Sequence, residues 1–404
     1  MKFYSTSDLP ADLAKKSFAA NYARINPNGD APLFALSGMA KKKTALQIEH
    51  GYWSKTAQFT NIVIGINATA SATTLTVVAS AGLVPNDILR VPPTFVSGVF
   101  TAGEIIRVIE VASATSIVVE REFGDTTAAA LTAGAILPAI GNAHPEASDK
   151  PQHRAIIPVR HLNNSHIFRN AWAQGRTLAA VKQVAGKGTI SENKDDATFF
   201  HGRDIELATF FSRKQNKVDA ATGEPLHTMD GIEALIQKLA PTNIRQAGAT
   251  TSYTQLIAML DPLFDQRTDS MSGNTRVAYC GKTAINVINE IGRLSGEYQI
   301  VQAESSFGLK FTQIVIPRGV IQLVEHPIFN TNVDWQKMMV IMETSQFDFA
   351  YMEGRDTMVD FINENPASTN GQDAKGGVMT TELTIEMQNP FACGIIYDLT
   401  AGAI

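Results

Sequence analysis

Between residues 61 and 141 the chain changes character, and that stretch limits the fold more than any other. Short runs rich in Ala, Thr, Val and Ile follow one another closely: Ile62–Ile66, Thr74–Val78, Ile88–Val91, Glu104–Val111 and Ile117–Arg121. Turn formers separate them, at Ala81-Gly82, Pro92-Pro93, Ala102-Gly103 and Phe123-Gly124-Asp125. Strands spaced this closely, with turn signals between them, predict a small β-barrel or sandwich. A stretch of about 80 residues can fold alone, if marginally. Helical and strand-like material resumes afterwards, so the stretch reads as a domain inserted into a larger one.

The flanks read differently. Residues 1–35 form an arm, with a helix expected over Leu9–Ile25, Asp8 as its N-cap and Pro10 at its start. Asn26-Pro27-Asn28-Gly29-Asp30 stops it. In residues 36–60, Leu46 and Ile48 alternate with polar neighbours as in a half-exposed strand, and Trp53 is a packing or contact residue. His161–Arg169 is expected to be extended, Gly186–Ala197 polar and flexible, and a helix to run over about Asp204–Lys214. Ile232, Leu235, Ile236 and Leu239 stripe one helix face, with Thr228 as N-cap. Leu256, Leu260, Leu263 and Phe264 stripe another, interrupted by Pro262, with Asp261 capping a short continuation. Ala284, Val287, Ile288, Ile291 and Leu294 stripe a third. Strands return at Phe311–Ile316, Val320–Val324, Met338–Ile341 and Phe347–Tyr351, Pro366–Val378 reads as a loop, and Glu382–Met387 alternates strictly, predicting a strand with one solvated face. Helices followed by strands indicate an α+β class.

The chain has 404 residues, 44% of them hydrophobic, enough for two or three domains. Only 18% are charged, against about 25% in an average soluble domain, which favours a surface partly covered by other subunits. The formal charge of −5 lacks the basic excess that gripping phosphates requires. Cys280 and Cys393 sit in apolar runs without metal-type spacing and read as buried thiols of a reducing compartment. The polar start, Met1–Pro10, does not resemble a signal peptide, and no apolar stretch approaches the ~20 residues of a membrane helix.

No motif assembles a reaction centre. Gly281-Lys282-Thr283 follows a strand and opens a helix like the tail of a P-loop, but Arg276 stands where the phosphate cradle needs glycine. Five histidines, His144, His153, His161, His166 and His201, complete no zinc spacing. Gly292-Arg293-Leu294-Ser295-Gly296 is not a nucleophile elbow; it reads as a helix end with Gly296 as C′. Glu382 and Glu386 are expected on the solvated face of a strand, and Lys41–Lys43 in a solvated loop or in salt bridges between subunits. The expectation is therefore no catalytic, cofactor-binding or metal-ligating residue, and a structural or binding protein.

Several runs, in order, resemble tailed-bacteriophage major capsid proteins of the Hong Kong-97-type fold, in the branch with an inserted β-domain. Ile48–Trp53 resembles the outgoing strand of that family's extended loop. Asn86–Val91, Gly103–Val108 and Val118–Thr127 resemble its inserted domain, and Asn163–Arg169 the returning strand. Arg203–Ala208 resembles the start of the spine helix, Phe307–Leu309, Pro317–Gly319 and Leu323–Pro327 the later strands, and Thr381–Thr384 through Asn389–Ala392 the closing strand. His50-Gly51-Tyr52 departs from the simpler Glu-Trp pair of that pattern.

The resemblance implies an arm (1–35), an outgoing loop (36–60), the inserted β-domain (61–141), a returning strand and peripheral domain with a spine helix (142–240), an axial domain (241–380) and a closing strand (381–404). It implies hexamers and pentamers closing an icosahedral shell around double-stranded DNA, without sequence-specific binding and without a membrane. The partners implied are further copies of the chain, a separate scaffolding protein, a portal and a decoration protein. The chain would be a virion component assembled in the host cytoplasm. Some members of that family weld subunits through Lys–Asn isopeptide bonds; Lys41, Lys42, Lys43 or Lys55 would be the loop lysines for such a bond, but nothing identifies the required Asn and Glu, and no crosslink is expected. Alternatives are a nanocompartment shell of the same fold, or an adhesion protein using the β-domain; Phe95, Phe100 and Phe123 are a poor set for sugar stacking.

Overall fold

A computed structural model describes residues 43–55, 61–96, 98–154, 157–181, 189–248, 250–266, 274–295, 300–302, 312–362 and 373–400. The helix expected over Leu9–Ile25, Lys41, Lys42 and Gly296 lie outside them. Contacts divide the chain into two compact units, Ser54–Val159 and the remainder.

The Ser54–Val159 unit is built on one antiparallel sheet. Its strand order is Asn61–Val63, Ile136–Asn142, Asp87–Arg90, Ile105–Ser113, Ser116–Glu120, Thr74–Thr76. The two outermost strands then meet: Ile64 bridges Val77, and the Gly65 and Val78 amides donate across the gap to Thr76 and Val63. The sheet thus closes into a six-stranded barrel, which removes its edges. Alternate residues point inward, so Ile62, Ile64, Leu75, Val77, Leu89, Ile106, Val108, Ile117, Val119 and Leu137 form one core. Gly103 is required by close approach, since a Cβ there would lie 1.8 Å from the Val91 carbonyl oxygen. The loops at one end are gathered by Arg121, which binds the buried Glu104 carboxylate at 2.6 Å and the carbonyls of Thr69, Ala72 and Ala129. Burial raises the Glu104 pKa, but Arg121 and the amides of Glu122 and Ala129 more than offset it and leave the group below its ordinary range. The unit extends past the sequence-derived 61–141 because residues beyond it pack back: the Ala143 amide donates to the Asn86 carbonyl, and Arg154 pairs with the buried Asp87.

The other unit has two sheets. The first is centred on the 14-residue strand Ala374–Met387. His166–Gly175 pairs along one side of it; Met358–Ile362 and Phe347–Met352 share the other, and Lys43–Ala45 runs parallel to Phe347–Met352. The second is a seven-stranded mixed sheet in the order Ile244–Gln246, Gly394–Tyr397, Met339–Met342, Thr275–Cys280, Gly319–Glu325, Thr312–Ile316, Ile300–Gln302. One apolar cluster includes Phe168, Ile205, Leu235, Val324, Phe349, Leu383 and Ile395, joining both sheets to the helices Thr189–Phe211 and Ile232–Leu239. A second cluster packs Tyr253–Leu260 and Lys282–Ser295 against the seven-stranded sheet.

Several sequence expectations need correction. The long helix begins at Thr189, so 189–197 is helical rather than flexible; its polar residues lie on a helix with Ala197 buried against Trp172 and Met379. Thr228 does not cap the next helix, because it ends the strand Pro225–Thr228; Gly231 is the N-cap. Asp261 begins a 3-10 turn, Asp261–Phe264, that carries the chain through Pro262. Ser252 and Gln255 form a reciprocal capping box that the stripes alone did not reveal. Residues 374–378 are strand, not loop, because they pair with both His166–Gly175 and Met358–Ile362. Leu46 and Ile48 lie between two strands and are both exposed.

The Gly281-Lys282-Thr283 turn does join a strand to a helix, but its glycine serves packing. A Cβ at Gly281 would fall 2.5 Å from Gln336 Cα and 2.6 Å from the Trp335 carbonyl oxygen, and the Lys282 amide donates to Asn330 Oδ1 at 2.8 Å. Gly281→Ala is expected to cost about 1–3 kcal/mol of stability by overpacking, read as a lower urea midpoint with an unchanged slope.

Candidate functional site

The polar residues of the closing strand are where the sequence reading fails most informatively. Glu382, Thr384 and Glu386 were expected to face water, and all three are buried. Each carboxylate is claimed by groups from the segments that flank the barrel insertion. Lys43 Nζ lies 2.6 Å from Glu386 Oε2 and 2.7 Å from Asp348 Oδ2. His50 Nε2 takes the other Glu386 oxygen. Tyr52 Oη donates to the Met387 carbonyl at 2.6 Å. Burial raises the Glu386 pKa, yet His50 and Lys43 outweigh it and bring the group down to about 2. Tyr52 is pushed up, first by burial and then by the Glu386 charge.

Four residues back along the strand, on the same face, Glu382 accepts from Ser165 Oγ at 2.7 Å and pairs with Arg355 Nε at 2.8 Å. The Ser165 amide donates to the Ile48 carbonyl. Asn163 is buried and fully used: its side-chain oxygen accepts from the Asp230 amide at 2.8 Å, and its nitrogen donates to the Asp230 carbonyl at 3.0 Å and the Ile385 carbonyl at 3.3 Å. Further along, His201 bridges Asn170 and Thr381 at 2.7 Å each, and Asn170 donates to Asp204. These contacts fasten the long helix to the sheet.

Together they hold the root of a two-stranded ribbon, Glu49–Ser54 with Val159–Asn164. Lys214 ties the same root to the end of the long helix through Glu49 at 3.1 Å. Beyond the root the ribbon carries exposed apolar side chains: Trp53 is 65% exposed. A second ribbon, Gln215–Val218 with Pro225–Thr228, exposes Val218 and Leu226.

The remaining singled-out residues are structural. Arg276 is fully buried, 3.6 Å from Glu343 and stacked over Phe264. His326 bonds Glu206 at 2.7 Å inside a box of Phe210, Tyr279 and Phe329. His144 contacts Asn86, His161 packs on Tyr52, and His166 stacks on Phe168. Burial holds the His166 imidazole down to about 4. Cys280 and Cys393 are buried free thiols, both pushed up by burial. Phe95 and Phe100 pair at an exposed hairpin, and Phe123 lies under Arg107. Lys55 is exposed.

Among the described residues, the buried charges traced above fasten one segment to another, and the ribbons present apolar side chains outward, which invites comparison by sequence. A family model described as the SU10 major capsid protein matches residues 4–400. The chain belongs to the SU10 major capsid protein family. A major capsid protein of Pseudomonas phage PaMx41 is 33% identical over 408 residues, covering 98% of this chain and 95% of that one. Among solved structures, one from Mycobacterium phage Cain gives a TM-score of 0.47 at 10% identity, covering 99% of this chain and 100% of that chain. The encapsulin complex of Synechococcus elongatus gives 0.42 at 10% identity, covering 62% and 80%. Those structural likenesses are distant, and the family assignment rests on the sequence matches. The capsid protein is accordingly a structural component of a phage virion, and its work is self-association into a multimeric shell.

The Glu386 cluster sets a pH dependence. Its pKa in the folded protein, about 2, lies below the ordinary carboxylate value, so the stabilisation is complete above about 4.5 and is lost as pH falls from there towards 2. Glu386→Gln is expected to cost about 3 kcal/mol at neutral pH and to flatten the fall in thermal midpoint between pH 5 and about 3, measured by circular dichroism.

Proposed function

We propose that the capsid protein self-assembles as hexamers and pentamers into the icosahedral head that encloses the double-stranded DNA of a tailed phage, on a Hong Kong-97-type fold and without catalysing a reaction. In this reading residues 1–35 are the arm, 36–60 and the strand after 142 the extended loop, 61–141 the core of the inserted domain, 142–240 and 381–404 the peripheral domain, and 241–380 the axial domain. The observation that carries it is the Glu49–Ser54/Val159–Asn164 ribbon. Two strands alone are marginal in water, yet this pair is rooted by buried ion pairs and carries an exposed tryptophan beyond the root. Such a device gains its stability when a neighbouring subunit covers it.

A formal charge of −5 suits enclosure of DNA rather than tight binding. A separate scaffolding protein, a portal and a decoration protein are the partners of this reading, and the two free buried thiols suit assembly in the host cytoplasm.

Co-expression with neighbouring phage proteins, viewed by negative-stain electron microscopy, tests it. Shells, tubes or hexameric and pentameric capsomers are expected; a monodisperse monomer or trimer at high concentration overturns it. Trp53→Asp is expected to abolish shells while changing folding stability by less than about 0.5 kcal/mol, as surface substitutions do.

A further inference from the structure

The barrel is chemically lopsided. Residues 56–86 and 126–145 contain no Asp, Glu, Lys or Arg. They supply three neighbouring strands, Ile136–Asn142, Asn61–Val63 and Thr74–Thr76, the last two meeting where the barrel closes. The other three strands carry Asp87, Arg90, Arg107, Glu110 and Glu120. One half of the barrel is therefore charged and the other is not.

The uncharged half has an apolar outer wall. Ile136 lies opposite Val63 in the register of their two strands. Across the closure Val63 lies opposite Val78, since Ile64 bridges Val77 and the Val78 amide donates to the Val63 carbonyl at 2.8 Å. Directly opposed residues share a face. Ile62, Ile64, Val77 and Leu137 point into the core, so Ile136, Val63 and Val78 form one row on the outside, across three strands. Val78 is 63% exposed and Ile136 52%. A strand with one face in a core normally turns polar side chains outward, and an apolar row on that face marks an interaction surface. Asn61, Thr76 and Ser116 border the row on the same outer face.

We infer that this wall packs against the same wall of a second copy of the chain, about a two-fold axis, an inference that rests on the proposed self-assembly. Charge selects the occupant. A wall without charge of either sign is matched by another of the same kind, whereas an ionised surface would lose hydration there and gain no partner. The border favours a copy for a related reason. Asn, Thr and Ser side chains each donate and accept, so a border of them bonds to itself, which a border of carboxylates or ammonium groups cannot do. All the charges behind the chain's net −5 lie outside these two stretches, so two copies meet here without repulsion between facing groups. A two-fold contact demands this self-complementarity, because each side presents the same patch. The closed barrel offers no strand edge along this wall, so the contact is made by side chains, with the two walls face to face about 10 Å apart.

The test uses full-length chains, each with one added cysteine: Val63→Cys, Val78→Cys or Ile136→Cys on the wall, and Glu110→Cys on the charged half as a control. Cys280 and Cys393 are buried and remain as they are. Shells or capsomers are oxidised and run on non-reducing gels. Disulfide-linked homodimers are expected from at least one wall position and none from Glu110→Cys. Shells with no homodimer at any wall position overturn the inference and leave the capsid reading intact; absence of shells and capsomers from the natural chain overturns both. Homodimers that form at Glu110→Cys as readily as on the wall also overturn it. A second pair of variants reads the charge argument. Val78→Lys and Val78→Glu are each expected to lower the urea midpoint of shell dissociation, followed by light scattering, because like charges then meet across the axis. An equal mixture of the two is expected to restore it. Equal midpoints for the natural chain and both variants, or a loss that mixing does not restore, overturn the two-fold contact.

Discussion

The strand Ala374–Met387 is the constraint on which this unit depends. It is hydrogen-bonded along both sides, to His166–Gly175 on one and to Met358–Ile362 and Phe347–Met352 on the other. It also delivers two carboxylates into buried positions, and a buried carboxylate is tolerated only when cations and donors surround it. Lys43, His50, Ser165 and Arg355 meet that requirement. The segment before the barrel and the segment after it are thereby fixed to one strand near the end of the chain, so contacts spanning more than two hundred residues define where the ribbon starts.

The same logic recurs deeper in the unit. Arg276 faces Glu343 across the centre of the seven-stranded sheet, and His326 faces Glu206 between that sheet and the long helix. Pairs of this kind add little net stability over apolar residues of equal volume, but removing one partner is costly. They fix which helix sits against which sheet. In a subunit that assembles into a multimeric shell, a rigid body with unambiguous packing lets variation concentrate in the segments that leave it.

Much of this was legible in the sequence. The barrel strands announced themselves through β-branched runs and turn residues, and the stripes Ile232–Leu239 and Ala284–Ile291 marked their helices, because period and punctuation are local signals. What was not legible depended on distant partners. Glu382-Leu383-Thr384-Ile385-Glu386 alternates like a strand with a wet face, and only the arrival of Lys43, His50 and Ser165 turns that face into an interior. The helix start at Thr189 hid among polar residues for the same reason: the anchors of its first turns, Trp172, Ala173 and Met379, lie on other strands. Gly281 read as a plain helix start resembling only the tail of a P-loop, and its requirement for glycine comes from the backbone of Trp335 and Gln336, 2.5–2.6 Å from where a Cβ would lie.

The barrel begins and ends on neighbouring strands, since Asn61 pairs with Pro138, and its sheet has no margin left over. A body of that kind is interchangeable: its entry and exit already sit side by side, so the gene can lose it, enlarge it or trade it for another closed module without altering the register of Ala374–Met387 or the ion pairs that hold it. Lineages sharing the rest of this chain are then free to differ most sharply here, and foreign sequence spliced into the barrel's loops would ride on the subunit without competing for its core.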